Sequence, residues 1–255
     1  MAFANLSSDS LARLVSSLLD CSLSLFFPQS CQLCHAEVES RKLGIACRCC
    51  WDNTLIFTEE TPICYKCSRL LRSTTIGSEK TFCHLCENDY FDLARSVGLY
   101  EKALMRTILY LKTVPFLASY AQELLYKAFK RAPFQDADLI MPVPLSKARL
   151  AERGFNQAEI IANALANRAK IPIDVSSLIR NRHTKKHRPG MDKIARQRLV
   201  EAAFLVSKSD KLAGKNVVLV DDVLTSGATA SNCAKVLKQH GAAKVYVLTL
   251  ARATH

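Results

Sequence analysis

The sequence predicts an α/β protein, a parallel sheet flanked by helices, with a small cysteine-rich module at its N-terminal side. Three observations lead there. Val217 to Val220 are four consecutive apolar residues, as in a strand buried on both faces. Leu139 to Val143 form a second such run, and each run leads through a turn into a helical pattern. Ten of the eleven cysteines precede residue 87, so thiol chemistry is concentrated ahead of the sheet. A chain of 255 residues is long enough for one good core and an accessory module. We divide it into an amphipathic helix in residues 1–28, a double zinc ribbon in 29–90 and the sheet domain in 91–255.

The first segment repeats apolar residues at Leu11, Leu14, Val15, Leu18 and Leu19, then continues into Leu23 to Phe27. Asp9 and Asp20 interrupt it, and it lacks the basic start and long apolar stretch of a signal peptide. The expectation is a helix packed on the domain, with a membrane-surface helix as the alternative. No run approaches the roughly 18 apolar residues of a transmembrane segment. We therefore expect a cytoplasmic protein, whose thiols bind metal rather than pair as disulfides. The net charge of +12 points toward polyanions, either nucleic acid or phosphorylated small molecules.

Eight cysteines form four C-x-x-C pairs: Cys31/Cys34, Cys47/Cys50, Cys64/Cys67 and Cys83/Cys86. Two such knuckles complete a tetrahedral Zn site, and sequential pairing gives two sites. Interleaved pairing is the alternative that the spacing leaves open, and Cys49 beside Cys50 leaves the choice of thiol open. Four thiolates close the coordination sphere, so the ions would be structural, each supplying roughly 10–16 kcal/mol by analogy with zinc-finger peptides. Arg48, Trp51, Tyr65, Lys66 and Arg69 are the residues such a module could offer to nucleic acid; pure scaffolding is the competing reading.

Residues 91–98 read as the first strand of the sheet domain. Ala103, Leu104, Ile108 and Leu111 predict a helix over 100–112, and a second helix runs from about 117 to 130, where Pro133 follows. The exit of the Leu139–Val143 strand is a proline-stiffened loop carrying Lys147, Arg149 and Arg153. Gly154 then permits a turn into the helix containing Ile160, Ile161 and Leu165. Residues 180–198 hold eight Lys or Arg against one acid, Asp192. That charge suits a phosphate track, with a solvated loop as the alternative. After Val217–Val220 stand Asp221 and Asp222, then Thr225, Ser226, Gly227, Ala228 and Thr229, then a helix to His240. A glycine-containing turn at a helix start offers N–H groups to a phosphate, and the carboxylates can accept from sugar hydroxyls or hold magnesium through water. A P-loop is excluded, because no Lys-Ser or Lys-Thr follows the glycine.

The run VVLVDDVLTSGAT resembles the phosphoribosyl-pyrophosphate (PRPP) motif of type I phosphoribosyltransferases. By that resemblance Asp221 and Asp222 take the ribose, and Thr225 to Thr229 take the 5′-phosphate. Pro142 to Pro144, Arg153 to Gln157, the upstream cysteines and the closing Leu250 to Ala253 narrow it to the ComF/GntX family of competence-associated proteins. The family implies Mg with PRPP, and pyrophosphate binding by Lys147 and Arg153. It also implies a hood or nucleic-acid track through Arg180, Arg182, Lys185, Lys186, Arg188, Arg196 and Arg198. His187 and Leu199 depart from the family pattern there, where Gln and Asn are usual. The implied function is PRPP binding together with single-stranded DNA binding, in DNA uptake or utilisation alongside uptake-machinery proteins. The alternative is an active phosphoribosyltransferase. No catalytic residue and no acceptor-binding element is identifiable in the sequence.

Overall fold

The structure is a computed structural model that describes residues 28–71, 81–180 and 203–253. The expected N-terminal helix lies outside the described residues. In chain order the principal elements are α1 (Arg48–Asp52), β1 (Leu93–Leu99), α2 (Lys102–Leu111), α3 (Ser119–Arg131) and β2 (Leu139–Pro142). They continue with α4 (Lys147–Arg153), α5 (Gln157–Ala169), β3 (Leu178–Arg180), β4 (Phe204–Val206), β5 (Asn216–Leu224), α6 (Ala228–Gln239) and β6 (Lys244–Arg252).

The expected parallel sheet is present. Among the described residues it has four strands in the order β1-β6-β5-β2, every neighbouring pair parallel. Its strands are buried on both faces, which explains their unbroken apolar runs: Val217 to Val220 are fully buried. Alternation along β5 sends Val218 and Val220 into one core, with α2, α3 and α5. Val217 and Leu219 enter the other, with α6 and the antiparallel β3–β4 pair.

The cysteine knuckles are not a separate bead on this sheet. Ile56 bridges antiparallel to Gly98, Phe57 N–H donates to Val97 at 2.9 Å and Leu99 N–H to Leu55 at 2.9 Å. The segment thus covers the outer edge of β1, whose open N–H and C=O groups would otherwise invite pairing with another chain. Gly98 is required by this approach, since a β-carbon there would collide with the Leu55 carbonyl. Cys31, Cys47 and Trp51 join the α2–α3 core, while Cys64, Cys67 and Cys86 join the α6 core. The module therefore straddles the sheet edge and shares both cores.

Two predicted elements differ. The exit of β2 is a short helix rather than a loop: Ser146 accepts from Arg149 N–H at its start, and Gly154 closes it with φ +80°. Strand β5 continues past Val220 to Leu224, because β6 keeps pairing with it from Asp221↔Thr249 to Leu224↔Arg252. Among the described residues no helix is long and apolar enough to cross a membrane.

Candidate functional site

Parallel strands deliver their C-terminal ends to one rim of the sheet, and the loops there form the ligand crevice. On this rim lie the Thr225–Gly227 turn, the acids of β5 and the start of α4. Gly227 has φ +89° and caps α6 without any side-chain hydrogen bond of its own. The first N–H groups of α6 thus face the turn, with Thr225, Ser226, Ala228 and Thr229 exposed around them. Such a helix start receives a phosphate through backbone donors and the positive end of the helix dipole.

The extended strand has a consequence for the acids. Consecutive strand residues point to opposite faces, so Asp221 and Asp222 meet different surroundings. Asp222 is buried and reaches Lys112 Nζ at 3.7 Å and Gln157 Nε2 at 3.5 Å. Gln157 Oε1 in turn accepts from the Arg153 guanidinium. An Arg153–Gln157–Asp222–Lys112 array therefore runs from α4 across to the end of α2. Asp221 lies on the other face, toward Cys233 and Arg180. Loss of hydration, reinforced by the charge of Asp222, pushes its carboxyl well above the usual range. Each carboxylate also accepts the next backbone N–H, at 2.8 Å from Asp222 N and from Val223 N.

Of the residues expected for pyrophosphate, Arg153 joins this array, and Lys147 is exposed on the first turn of α4. Asn156 caps α5 and holds the Val143 carbonyl at 3.0 Å, a purely structural role. Arg180 ends β3 with its guanidinium 5.3 Å from the Phe204 ring centre, and its Nε is buried with no hydrogen-bond partner among the described residues. Arg182, Lys185, Lys186, Arg188, Arg196 and Arg198 lie outside the described residues. Lys112 was not anticipated as a site residue. Its signal is weak: it is the first residue after an apolar helix, and only the fold brings it to Asp222.

The cysteines form two groups, Cys31/Cys34/Cys47/Cys50 and Cys64/Cys67/Cys83/Cys86, with all sulfurs of each within 4.8 Å of one another. Sequential pairing is thus the arrangement adopted, with Cys50 rather than exposed Cys49 in the first group. Neighbouring sulfurs stand 3.5–3.7 Å apart. A disulfide would need about 2.05 Å, whereas four Zn–S bonds of about 2.3 Å place tetrahedral sulfurs about 3.8 Å apart. Backbone N–H groups of Leu33 and Cys83 also point at sulfurs, at 3.4 and 3.2 Å. A hydrogen bond from the Cys67 thiol, working against burial, holds the Cys64 thiol down, while the same bond raises Cys67 and burial raises Cys86. Both clusters could hold a zinc ion.

Known proteins resemble this chain over part of its length. Residues 150–255 match the phosphoribosyl transferase domain family. Competence protein F of Haemophilus influenzae is 35% identical over 116 residues, 46% of this chain and 51% of that protein. Competence protein ComFC of Bacillus subtilis is 36% identical over 115 residues, 45% of this chain and 44% of that protein. The DNA utilization protein YhgH of Escherichia coli strain K12 is 33% identical over 115 residues, 45% and 49% of the two chains. The matches thus span about half the length of these relatives. Among solved structures, a glutamine PRPP amidotransferase from B. subtilis is 22% identical over 51% of this chain and 26% of its own, with a TM-score of 0.36. A purine phosphoribosyltransferase from Pyrococcus horikoshii is 19% identical over 52% and 71%, with a TM-score of 0.32. At those scores the two structures carry no argument about the site.

Proposed function

From the membership of this chain in the ComF family of competence-associated proteins, we propose that it binds PRPP with Mg²⁺ and handles single-stranded DNA during DNA uptake or utilisation. The observation that carries this reading is the Gly227 turn opening α6 directly beyond the paired acids of β5. The turn receives the 5′-phosphate. Asp222 and Asp221 take the ribose hydroxyls, and Arg153 with Lys147 faces the pyrophosphate. The two cysteine clusters hold structural zinc, and their thiolates suit a reducing cytoplasm. The positive charge of the 180–198 stretch serves the nucleic acid.

One observation favours transferase activity as a second reading. Lys112 and the Arg153–Gln157 pair converge on Asp222, and such cations would stabilise the negative charge that builds on a departing pyrophosphate.

Calorimetric titration of the zinc-loaded protein with Mg-PRPP, with and without short single-stranded DNA, tests both. Binding should occur, and Asp222→Asn together with Asp221→Asn should weaken it at least tenfold. An absence of any heat with the wild type would remove the PRPP assignment. Release of pyrophosphate on addition of free bases would establish the transferase, and its absence would leave a binding protein.

A further inference from the structure

The second cysteine cluster lies against the rim of the sheet that carries the Thr225–Gly227 turn, and two independent links join them. The first is Arg252, which is 1% exposed and makes no ion pair among the described residues. Its Nε donates to the Cys67 carbonyl at 3.0 Å. Its guanidinium also donates to the Leu224 carbonyl at 2.6 Å, to the Thr225 carbonyl and to its neighbour Ala253 at 3.0 Å. One buried fork thus spans the knuckle and the first residue of the turn.

The second link is the chain leaving Cys86. Tyr90 N–H donates to Ser231 Oγ at 3.0 Å, in the first turn of α6. Asp89 Oδ2 stands where a β-carbon on Gly227 would come within 3.1 Å. Lys66, between two cysteines of the same cluster, holds the Asp89 carbonyl at 2.8 Å. The knuckle and its exit therefore wall the turn from outside.

A buried cation with no carboxylate in ion-pair contact is costly, and the charge of Asp89 reaches Arg252 only from beyond that range. Zn²⁺ with four thiolates carries a net charge of −2, and that charge would sit beside Arg252 as its counter-charge. The first cluster has no comparable relation to the turn. Around it, Trp51 packs edge-on to Tyr120 at 5.1 Å, and Thr54 Oγ1 accepts from Ala103 N–H at 3.1 Å, at the starts of α3 and α2.

We propose that the second cysteine cluster is part of the phosphate site, with Arg252 the positioning residue through which zinc there fixes the Leu224–Gly227 turn. This rests on the reading of that turn as the 5′-phosphate site. Zinc at the second cluster would then govern phosphoribosyl binding, whereas zinc at the first would govern only stability.

Arg252→Lys in the zinc-loaded full chain gives the direct test, because an ammonium keeps the charge but cannot span the Cys67 carbonyl and those of the turn at once. Zinc content should stay at wild-type level. Backbone amides of 225–231 should exchange hydrogen at least tenfold faster, and affinity for ribose 5-phosphate should fall at least tenfold. Affinity for magnesium pyrophosphate, which meets Arg153 and Lys147 instead, should not change. Unchanged exchange and ribose 5-phosphate affinity, or equal loss of both ligands, would overturn the proposal.

Should that variant fold poorly, Cys83→Ser and Cys34→Ser decide the matter by emptying one cluster each. Only the first of these should speed exchange at 225–231, and equal effects from both would overturn the coupling. If the wild type binds neither ligand, the phosphate reading fails, while the exchange comparison still tests the link itself.

Discussion

At Asp221, loss of hydration and the charge of Asp222 both raise the carboxyl above its usual range, so the folded chain holds that proton more tightly than the unfolded chain does. The sign follows directly. Stability falls as pH rises from the unfolded pKa of about 4 toward the higher folded one, and the loss persists above it. Asp221→Asn keeps an acceptor for the Asp222 N–H and removes the charge. The variant should therefore be more stable than wild type at pH 7 and nearly equal to it at pH 4, by urea unfolding at both values. A variant less stable at pH 7 would refute this account of Asp221. Such a residue trades stability for a charge at a ligand rim. That the acids and the TSGAT turn lie together on one rim was legible, because their placement is local, set by one strand and the helix start that follows it. Arg252 was not legible as a site residue, because its position depends on parallel register with Leu224, 28 residues away in the chain.

Among the elements, the turn into α6 is constrained twice over. Gly227 takes a left-handed conformation and is also pressed by Asp89, so a side chain there meets two separate obstacles. Gly227→Ala should cost about 1–2 kcal/mol from the backbone alone, read as a lower urea midpoint. It should lose PRPP affinity more steeply than stability; wild-type affinity in a destabilised variant would separate the turn from the ligand. Strand and helix positions were readable from apolar runs and helical periodicity. The two misreadings share a cause. Polar residues at 145–153 and 221–222 imitate loop composition, whereas capping by Ser146 and Gly154 forms a helix in one case and pairing with β6 prolongs the strand in the other.

At the scale of the whole molecule, the cysteine knuckles and the sheet share both hydrophobic cores, so they should unfold together. Stripping metal with a strong chelator should lower a single thermal transition by more than about 10 °C, given that 1 kcal/mol moves Tm by about 2–4 °C at this size. A sheet transition left unmoved would mean that the module is an independent bead. The C-x-x-C spacing made two four-cysteine sites readable, but not their fusion with the sheet, which depends on Leu55 to Phe57 meeting β1.

The strand order also sets a schedule for synthesis. Among the described residues β1 and β5 do not pair with each other; each pairs with β6, which is made after both. Until residues 244–252 leave the ribosome, β1 has no neighbour on its inner side, and the Arg252 clasp does not exist. Eight thiols are thus made early and wait for a core that closes late. During that interval they are open to any oxidant or competing metal, and early capture of zinc would protect the nascent chain before there is a site for it to support.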